Sequence, residues 1–251
     1  MSYELKISRI LACLFILLNI SCNGDNAPEC FRKMGATVAY ELPVPDFTAI
    51  HVSAGIELVI VQGETQSVIV QTGENLKEYI TAEVTDGTLM LTNTNNCNWV
   101  NTYKTTTITV TTPHLEKIFT ATQFTVQSAG VLRFPSLYIQ SGLVSETASG
   151  TVHLDIDCEN FTVEDNQNLY CVINGKVTNL SVNFYAGDAR FNGAGLESEN
   201  VSIFHRSSND IMVHANQQVK GTLHATGNLV LLNQPPVVDV ERVYTGKIVY
   251  E

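Results

Sequence analysis

A turn followed by a β-rich run recurs about every 20 residues through the second half of this 251-residue chain, and a period of that length restricts the fold more than any other feature. Six segments align: Ser128-Ala-Gly-Val-Leu-Arg-Phe134, Ala148-Ser-Gly-Thr-Val-His-Leu154, Asn166-Gln-Asn-Leu-Tyr-Cys-Val172, Ala186-Gly-Asp-Ala-Arg-Phe-Asn192, Ser208-Asn-Asp-Ile-Met-Val-His214 and Thr226-Gly-Asn-Leu-Val-Leu-Leu232. Their starts are evenly spread from Ser128 to Thr226. The third slot holds Gly130, Gly150, Asn168, Asp188, Asp210 and Asn228, the residue types that best tolerate positive φ. A turn and a strand at a fixed period mark a solenoid, in which each repeat buries its apolar face against its neighbours.

A second strand series is offset from the first: Phe124-Thr-Val126, Leu137-Tyr-Ile139, Phe161-Thr-Val163, Leu180-Ser-Val182, Val201-Ser-Ile203 and Thr222-Leu-His224. A rung of about 18–22 residues thus carries two or three short strands, too little chain for a propeller blade, and the helices of leucine-rich or ankyrin repeats are missing. The spacing predicts an all-β fold: a single-stranded right-handed parallel β-helix with irregular caps, its coils hydrogen-bonded about 4.8 Å apart. Inward columns can be read from the last four rungs as Leu169/Ala189/Ile211/Leu229 and Cys171/Phe191/Val213/Leu231. In the first two rungs the same alignment points Arg133 and His153 inward, so a register shift of one residue is expected there.

Ahead of the array, Ser53-Ala-Gly55 repeats the triplet Ser128-Ala-Gly130 and is again followed by a strand, which places the start of the period near residue 53. Residues 37–45 read as a strand closed by Pro43 and Pro45. Leu76, Tyr79 and Ile80 have the spacing of one or two helical turns. Residues 81–92 read as a hairpin bending at Asp86-Gly87. The tail from Pro235 to Glu251 leaves the period and reads as the cap that an open solenoid end needs. The expected division is a lipoprotein-type signal peptide at 1–21, a tether at 22–36, an N-terminal β-rich part at 37–112, regular rungs at 113–233 and a C-terminal cap at 234–251.

Lys6 and Arg9 precede an apolar run, Ile10 to Ile20, that is short of the roughly 20 residues needed to span a membrane. It ends Leu17-Leu18-Asn19-Ile20-Ser21-Cys22 and resembles a bacterial lipoprotein signal with Cys22 as the residue to be lipidated. Asn19 and Ile20 stand where that motif has Leu and a small residue. A plain secreted protein and an uncleaved anchor are the alternatives. Export implies an oxidising compartment. With Cys13 and Cys22 set aside, Cys30, Cys97, Cys158 and Cys171 allow three pairings. Cys30 and Cys97 both lie in irregular segments and are the disulfide candidates, whereas Cys171 on an inward slot reads as a buried free thiol. The net charge of −11 argues against nucleic acid and against polybasic docking to anionic lipid.

The acidic run Asp155, Asp157, Glu159, Glu164 and Asp165 is the best candidate for chemistry. A polysaccharide lyase on such a fold needs calcium-binding carboxylates beside a basic residue, and Arg133 and Arg190 fall in neighbouring rungs. The alternation of Asp155, Asp157 and Glu159 with Ile156 and Cys158 is instead that of a solvated strand face. His205, Arg206 and Asp210 form the densest polar cluster, but Ser208-Asn209-Asp210 is the turn of the repeat. No Ser/His/Asp set, HExxH motif, phosphate-binding glycine loop or zinc spacing occurs, so no catalytic residue, metal or cofactor is expected. Asn160-Phe-Thr162 and Asn179-Leu-Ser181 fit the N-glycosylation pattern, which carries little meaning in a bacterial lipoprotein. Phe184 and Tyr185 mark an aromatic face.

Five stretches carry a family likeness: Phe47-Thr-Ala-Ile-His-Val-Ser-Ala-Gly-Ile-Glu-Leu-Val-Ile-Val-Gln-Gly63, Val70-Gln-Thr-Gly-Glu-Asn-Leu76, Asp86-Gly-Thr-Leu-Met-Leu91, Phe184-Tyr-Ala-Gly-Asp188 and Tyr244-Thr-Gly246. Over about residues 38–233 the chain resembles the "putative auto-transporter adhesin head (GIN) domain" lipoproteins of Bacteroidetes envelopes. The resemblance implies a β-helical body on the cell envelope with an adhesin label and brings no catalytic residues. The tether, the repeat and the missing catalytic set point to a non-enzymatic lipoprotein, lipid-anchored at the outer membrane, with an adhesin-like or structural role and a glycan or envelope protein as partner. A polysaccharide lyase or hydrolase, and an envelope scaffold or signalling module, are the alternative readings.

Overall fold

The computed structural model describes residues 34–95, 106–142 and 149–251. Cys22, Cys30 and Cys97, and with them the anchor and the disulfide candidates, lie outside these residues. Within them the chain is nearly all β and winds into a β-solenoid of about six turns. Its regular part is β11 (Thr151–Asp165), β12 (Tyr170–Phe184), β13 (Arg190–His205) and β14 (Ile211–Leu223). Each of these long strands serves two faces. The first half of β11 pairs with β9 (Val126–Leu132), and its second half with β10 (Ser136–Ser141), all parallel. Burial alternates along each half, and the phase slips where two exposed residues adjoin, at Glu159-Asn160 and again at Thr178-Asn179. That slip lets both halves turn their apolar side inward round a corner.

On the first face the inward column is Val126, Val152, Cys171, Phe191, Ile211, Leu229 and Ile248. On the second it is Leu137, Phe161, Leu180, Val201, Val219 and Val238. Phe191 therefore stacks on Ile211 and not on Val213, two positions from the match read off the repeat. A two-residue slip keeps every side chain on its face, and all eight residues expected to point inward are buried. The second series is corrected at both ends: Val219 replaces Thr222, and Val126 belongs to the first face.

Arg133 and His153 are exposed, with Leu132, Phe134, Val152 and Leu154 buried beside them. In the Gly150 rung the register is shifted by one, with Val152 rather than His153 pairing with Cys171, and a β-bulge separately lengthens β9. Gln127 pairs with His153 and Val131 with Asp155, so β9 is the longer strand over this stretch. Gly130 sits in that excess with φ 97, a conformation open to glycine without strain.

The other slot residues correct the φ argument. None of Gly150, Asn168, Asp188, Asp210 and Asn228 has positive φ, and Asp86 is the one non-glycine residue with positive φ among the described residues. Two of the polar slots, Asp210 and Asn228, staple neighbouring turns instead. Asn228 donates through its backbone N–H (2.8 Å) and its Nδ2 (3.0 Å) to Asp210 Oδ1, and the Lys247 N–H donates to Asn228 Oδ1 at 3.0 Å.

The rung formed by β2 (Ala49–Val52) and β3 (Ile56–Gln62) stacks on β8 (Lys117–Thr120) and β9, so the period does begin at Ser53-Ala-Gly55. The strands after β3 do not climb in order. β6 (Thr88–Asn93) and β7 (Thr106–Thr112) stack on the opposite side of that rung, parallel to β2 and β3. The first rung in sequence is thereby enclosed. β5 (Ile80–Thr85) then pairs antiparallel with β6, β4 (Ser67–Gly73) with β7, and β1 (Thr37–Glu41) with β4. This antiparallel margin ends the parallel stack. A 3₁₀ helix at Glu74–Tyr79 and the Asp86-Gly87 hairpin turn stand where the sequence places them. The tail, by contrast, keeps the period: β16 (Val237–Arg242) lies parallel to β14, and β17 (Ile248–Tyr250) parallel to β15 (Leu229–Leu231), as a further rung.

Candidate functional site

The second face presents three outward columns in register across β10 to β14. The first is Ser136, Asn160, Asn179, Asn200 and Gln218. The second is Tyr138, Thr162, Ser181, Ser202 and Lys220. The third is Gln140, Glu164, Asn183, Phe204 and Thr222. They point outward because they alternate with the buried Leu137/Ile139, Phe161/Val163, Leu180/Val182 and Val201/Ile203 pairs. In a chain of net charge −11, only Glu164 and Lys220 of these positions are charged.

The first column is a ladder of amides. Asn179 Nδ2 donates to Asn160 Oδ1 at 3.0 Å, Asn200 Nδ2 to Asn179 Oδ1 at 3.0 Å and Gln218 Nε2 to Asn200 Oδ1 at 2.9 Å, while Asn160 Nδ2 donates to Ser136 Oγ at 3.2 Å. Parallel in-register stacking allows this, since each amide sits one strand spacing from the next. The third column is bounded by rings. Tyr185 stacks on Phe204 (centroids 5.5 Å apart), and Phe204 on His224 (4.9 Å). Glu164 accepts from both the Tyr138 and the Tyr185 hydroxyls. Burial, reinforced by these bonds to a carboxylate, raises the pKa of both phenols. The Lys117 ammonium lies 4.6 Å from the Phe119 centroid and 4.8 Å from that of Tyr138, and burial lowers its pKa against the pull of Glu164.

The acidic run does not assemble. Asp155, Asp157 and Glu159 are exposed on the first face and at its corner, Glu164 is on the second face, and Asp165 is fully buried. Asp165 caps the next turn by accepting from the Gln167 N–H (2.7 Å) and the Leu169 N–H (3.2 Å), and burial raises its pKa. On the first face Asp157 meets Arg133 at 3.8 Å and Lys176 meets Glu197 at 3.9 Å, exposed pairs of small energetic weight. Asp157, Lys176 and Glu197 rim a shallow recess of about 270 Å³ with Cys158, Val177, Thr178 and Glu199. Cys158 and Cys171 are both free and buried, and burial raises both thiol pKa values, which suppresses thiolate chemistry. Among the described residues no group of three or more His, Cys, Asp or Glu is placed to hold a metal.

Nor do His205, Arg206 and Asp210 converge. Arg206 is exposed, Asp210 staples the Asn228 turn, and His205 is fully buried against the edge of Phe184 (centroids 6.2 Å apart). The aromatic face is likewise divided: Tyr185 is on the surface and Phe184 is in the core. Both His205 nitrogens are enclosed without a partner. Burial lowers its pKa to about 4, although Asp210 and the Asn209 backbone favour the charged ring. A base whose folded pKa is depressed contributes stability that is intact above its unfolded pKa of about 6.5 and is lost as pH falls toward the folded value. The melting temperature of the wild type is expected to drop relative to that of His205→Leu between about pH 6.5 and 4. A constant difference between the two across that range rules out the buried neutral imidazole.

The amide ladder belongs to no catalytic or ligand-binding motif, so motif spacing alone does not find it. Its signal in the sequence is a repeat: Asn160-Phe-Thr-Val163, Asn179-Leu-Ser-Val182 and Asn200-Val-Ser-Ile203 are one pattern three times over.

The parallel stack defines a β-solenoid protein. The family described as "Putative auto-transporter adhesin, head GIN domain" matches residues 46–235, and the chain belongs to it. Among solved structures, the chain is similar to a putative adhesin of Bacteroides fragilis, with 18% identity and a TM-score of 0.77 over 86% of this chain and 97% of that one. A putative lipid binding protein of Parabacteroides distasonis shows 17% identity and a TM-score of 0.63 over the same shares of the two chains. A putative adhesin of Parabacteroides merdae also covers 86% and 97%, at 17% identity and a TM-score of 0.53. At these identities the likeness shows the fold. No protein of curated function matches the chain.

Proposed function

We propose that this chain is a non-enzymatic, adhesin-like binding module of the cell envelope, lipidated on Cys22 and held at the outer membrane through the tether at 22–36. The observation that carries the reading is the second face, where three columns of mostly amide and hydroxyl side chains stand in register, while the carboxylates that a lyase would gather are spread over three environments. Family membership supports the adhesin-like role. The lipid-binding description of the Parabacteroides distasonis protein finds less support here, because Phe161, Phe184 and Phe191 fill the interior where an acyl chain would have to lie.

Whole cells expressing the protein test the placement. Protease shaving is expected to remove the protein from intact cells, and Cys22→Ala is expected to release it from the membrane fraction. Protection in intact cells, or membrane retention of Cys22→Ala, would sink the anchored, outward-facing arrangement.

A further inference from the structure

We infer that the second face binds an extended neutral glycan laid along the solenoid axis, about one saccharide to each rung. The inference rests on the binding-module reading above and names the ligand class and the residues. Five strands, β10 to β14, present the three columns. Their four steps span about 19 Å at the usual strand spacing. One pyranose unit in an extended chain is about as long as one such step, so the protein repeat and the polymer repeat stay in phase over several units.

The chemistry of the columns matches hydroxyl groups. Asn160, Asn179 and Asn200 each spend one N–H and one lone pair on their neighbours. A carboxamide has two of each. Asn160, Asn179 and Asn200 thus keep a donor and an acceptor for an outside partner, and a sugar hydroxyl both donates and accepts. Thr162, Ser181 and Ser202 in the middle column add hydroxyls that do the same. Tyr138 and Phe204, members of the second and third columns, are half-buried and add the still exposed part of their rings as apolar surface for the C–H face of a sugar. The bonded ladder holds its side chains in place before any ligand arrives, so binding loses little rotamer entropy.

Charge decides among the occupants. The columns carry Glu164 and Lys220 alone, with Lys117 beside Tyr138 at one end and Asp239 and Glu241 of β16 beside Lys220 and Thr222 at the other, so the rungs between offer no cluster to neutralise a polyanion, and the chain as a whole repels one at −11. A docked protein is also a poor match. Interface centres are enriched in aromatic residues, Met and Arg and depleted in Ser, whereas the centre here is Thr162, Ser181 and Ser202.

The full-length protein in detergent should be titrated calorimetrically with neutral oligosaccharides (cello-, manno- and chito-oligomers of two to eight units) and with oligogalacturonate, after a broader array of neutral and anionic glycans. At least one neutral series is expected to bind, with affinity rising to about five units and then levelling. Ser181→Lys, on the outer side of β12, is expected to weaken it at least tenfold without changing the melting temperature, while Lys176→Ala on the first face leaves it unchanged. Binding to no neutral glycan, preference for the anionic series, affinity independent of length, or indifference to Ser181→Lys each overturns the inference. Beads coated with the protein separate this from the parent reading. Adherence to cells that survives periodate but not protease removes the glycan and keeps the binding module, and absence of adherence removes both.

Discussion

Phe191→Ala is expected to lower stability by about 4 kcal/mol, within the 3–5 kcal/mol range of large buried aromatic truncations. Phe191 is fully buried, and it stands in the first-face column between Cys171 and Ile211. Collapse around the lost ring is hindered, because its neighbours are held by parallel ladders on both sides, β12 against β13 and β13 against β14. Each rung touches only its neighbours, so the damage should be local before it is global. Hydrogen exchange should show lost protection in the first halves of β12, β13 and β14, with β2, β3 and β8 unaffected. The melting temperature should fall by roughly 10 °C, given the 2–4 °C per kcal/mol usual for a body of this size. A loss under about 1.5 kcal/mol, the ordinary cost of volume-conserving core swaps, would mean the column is not packed as described.

How far this architecture is legible in the sequence depends on which interaction sets each part. The period, the inward residues and the hairpin at Asp86-Gly87 follow from alternation and turn chemistry, which are local, and they can be read. Pairing is not local. Leu137 finds Phe161 beyond the whole stretch 143–148, and β2–β3 ends up between β8–β9 and β6–β7 through contacts that no local pattern encodes. The tail is hard to place from sequence for a related reason. Lys247 stands where the repeat has Gly, Asn or Asp, yet β16 and β17 join the ladders because β14 and β15 offer open edges. At the candidate site the residues are in plain view as Asn-x-Ser/Thr triplets, but the meaning lies in their stacking. A glycosylation pattern and an amide ladder look alike until Asn160, Asn179 and Asn200 are known to be in register.

Gly187→Ala is the second substitution expected to have a large effect, at about 3 kcal/mol or more, and its neighbour Asp188 supplies the control. The repeat places the strained turn position at Asp188, and the structure moves it one residue earlier. Gly187 has φ 81, and a Cβ added there would stand 1.9 Å from the Gln167 carbonyl oxygen. That oxygen cannot move aside, because it accepts the Asp188 N–H at 2.7 Å and belongs to the preceding rung's turn. Alanine therefore incurs both the left-handed backbone penalty and a backbone clash, together beyond the roughly 1–3 kcal/mol of a single strained residue. Asp188 lacks a positive φ and has an exposed side chain, and its backbone oxygen, not its carboxylate, accepts from Asn209 Nδ2. Asp188→Ala should accordingly stay within about 0.5 kcal/mol of wild type. Chemical denaturation of the two variants decides the matter. If Asp188→Ala is the more damaging, the slot residue itself sets the turn, and the assignment of backbone strain to Gly187 is wrong.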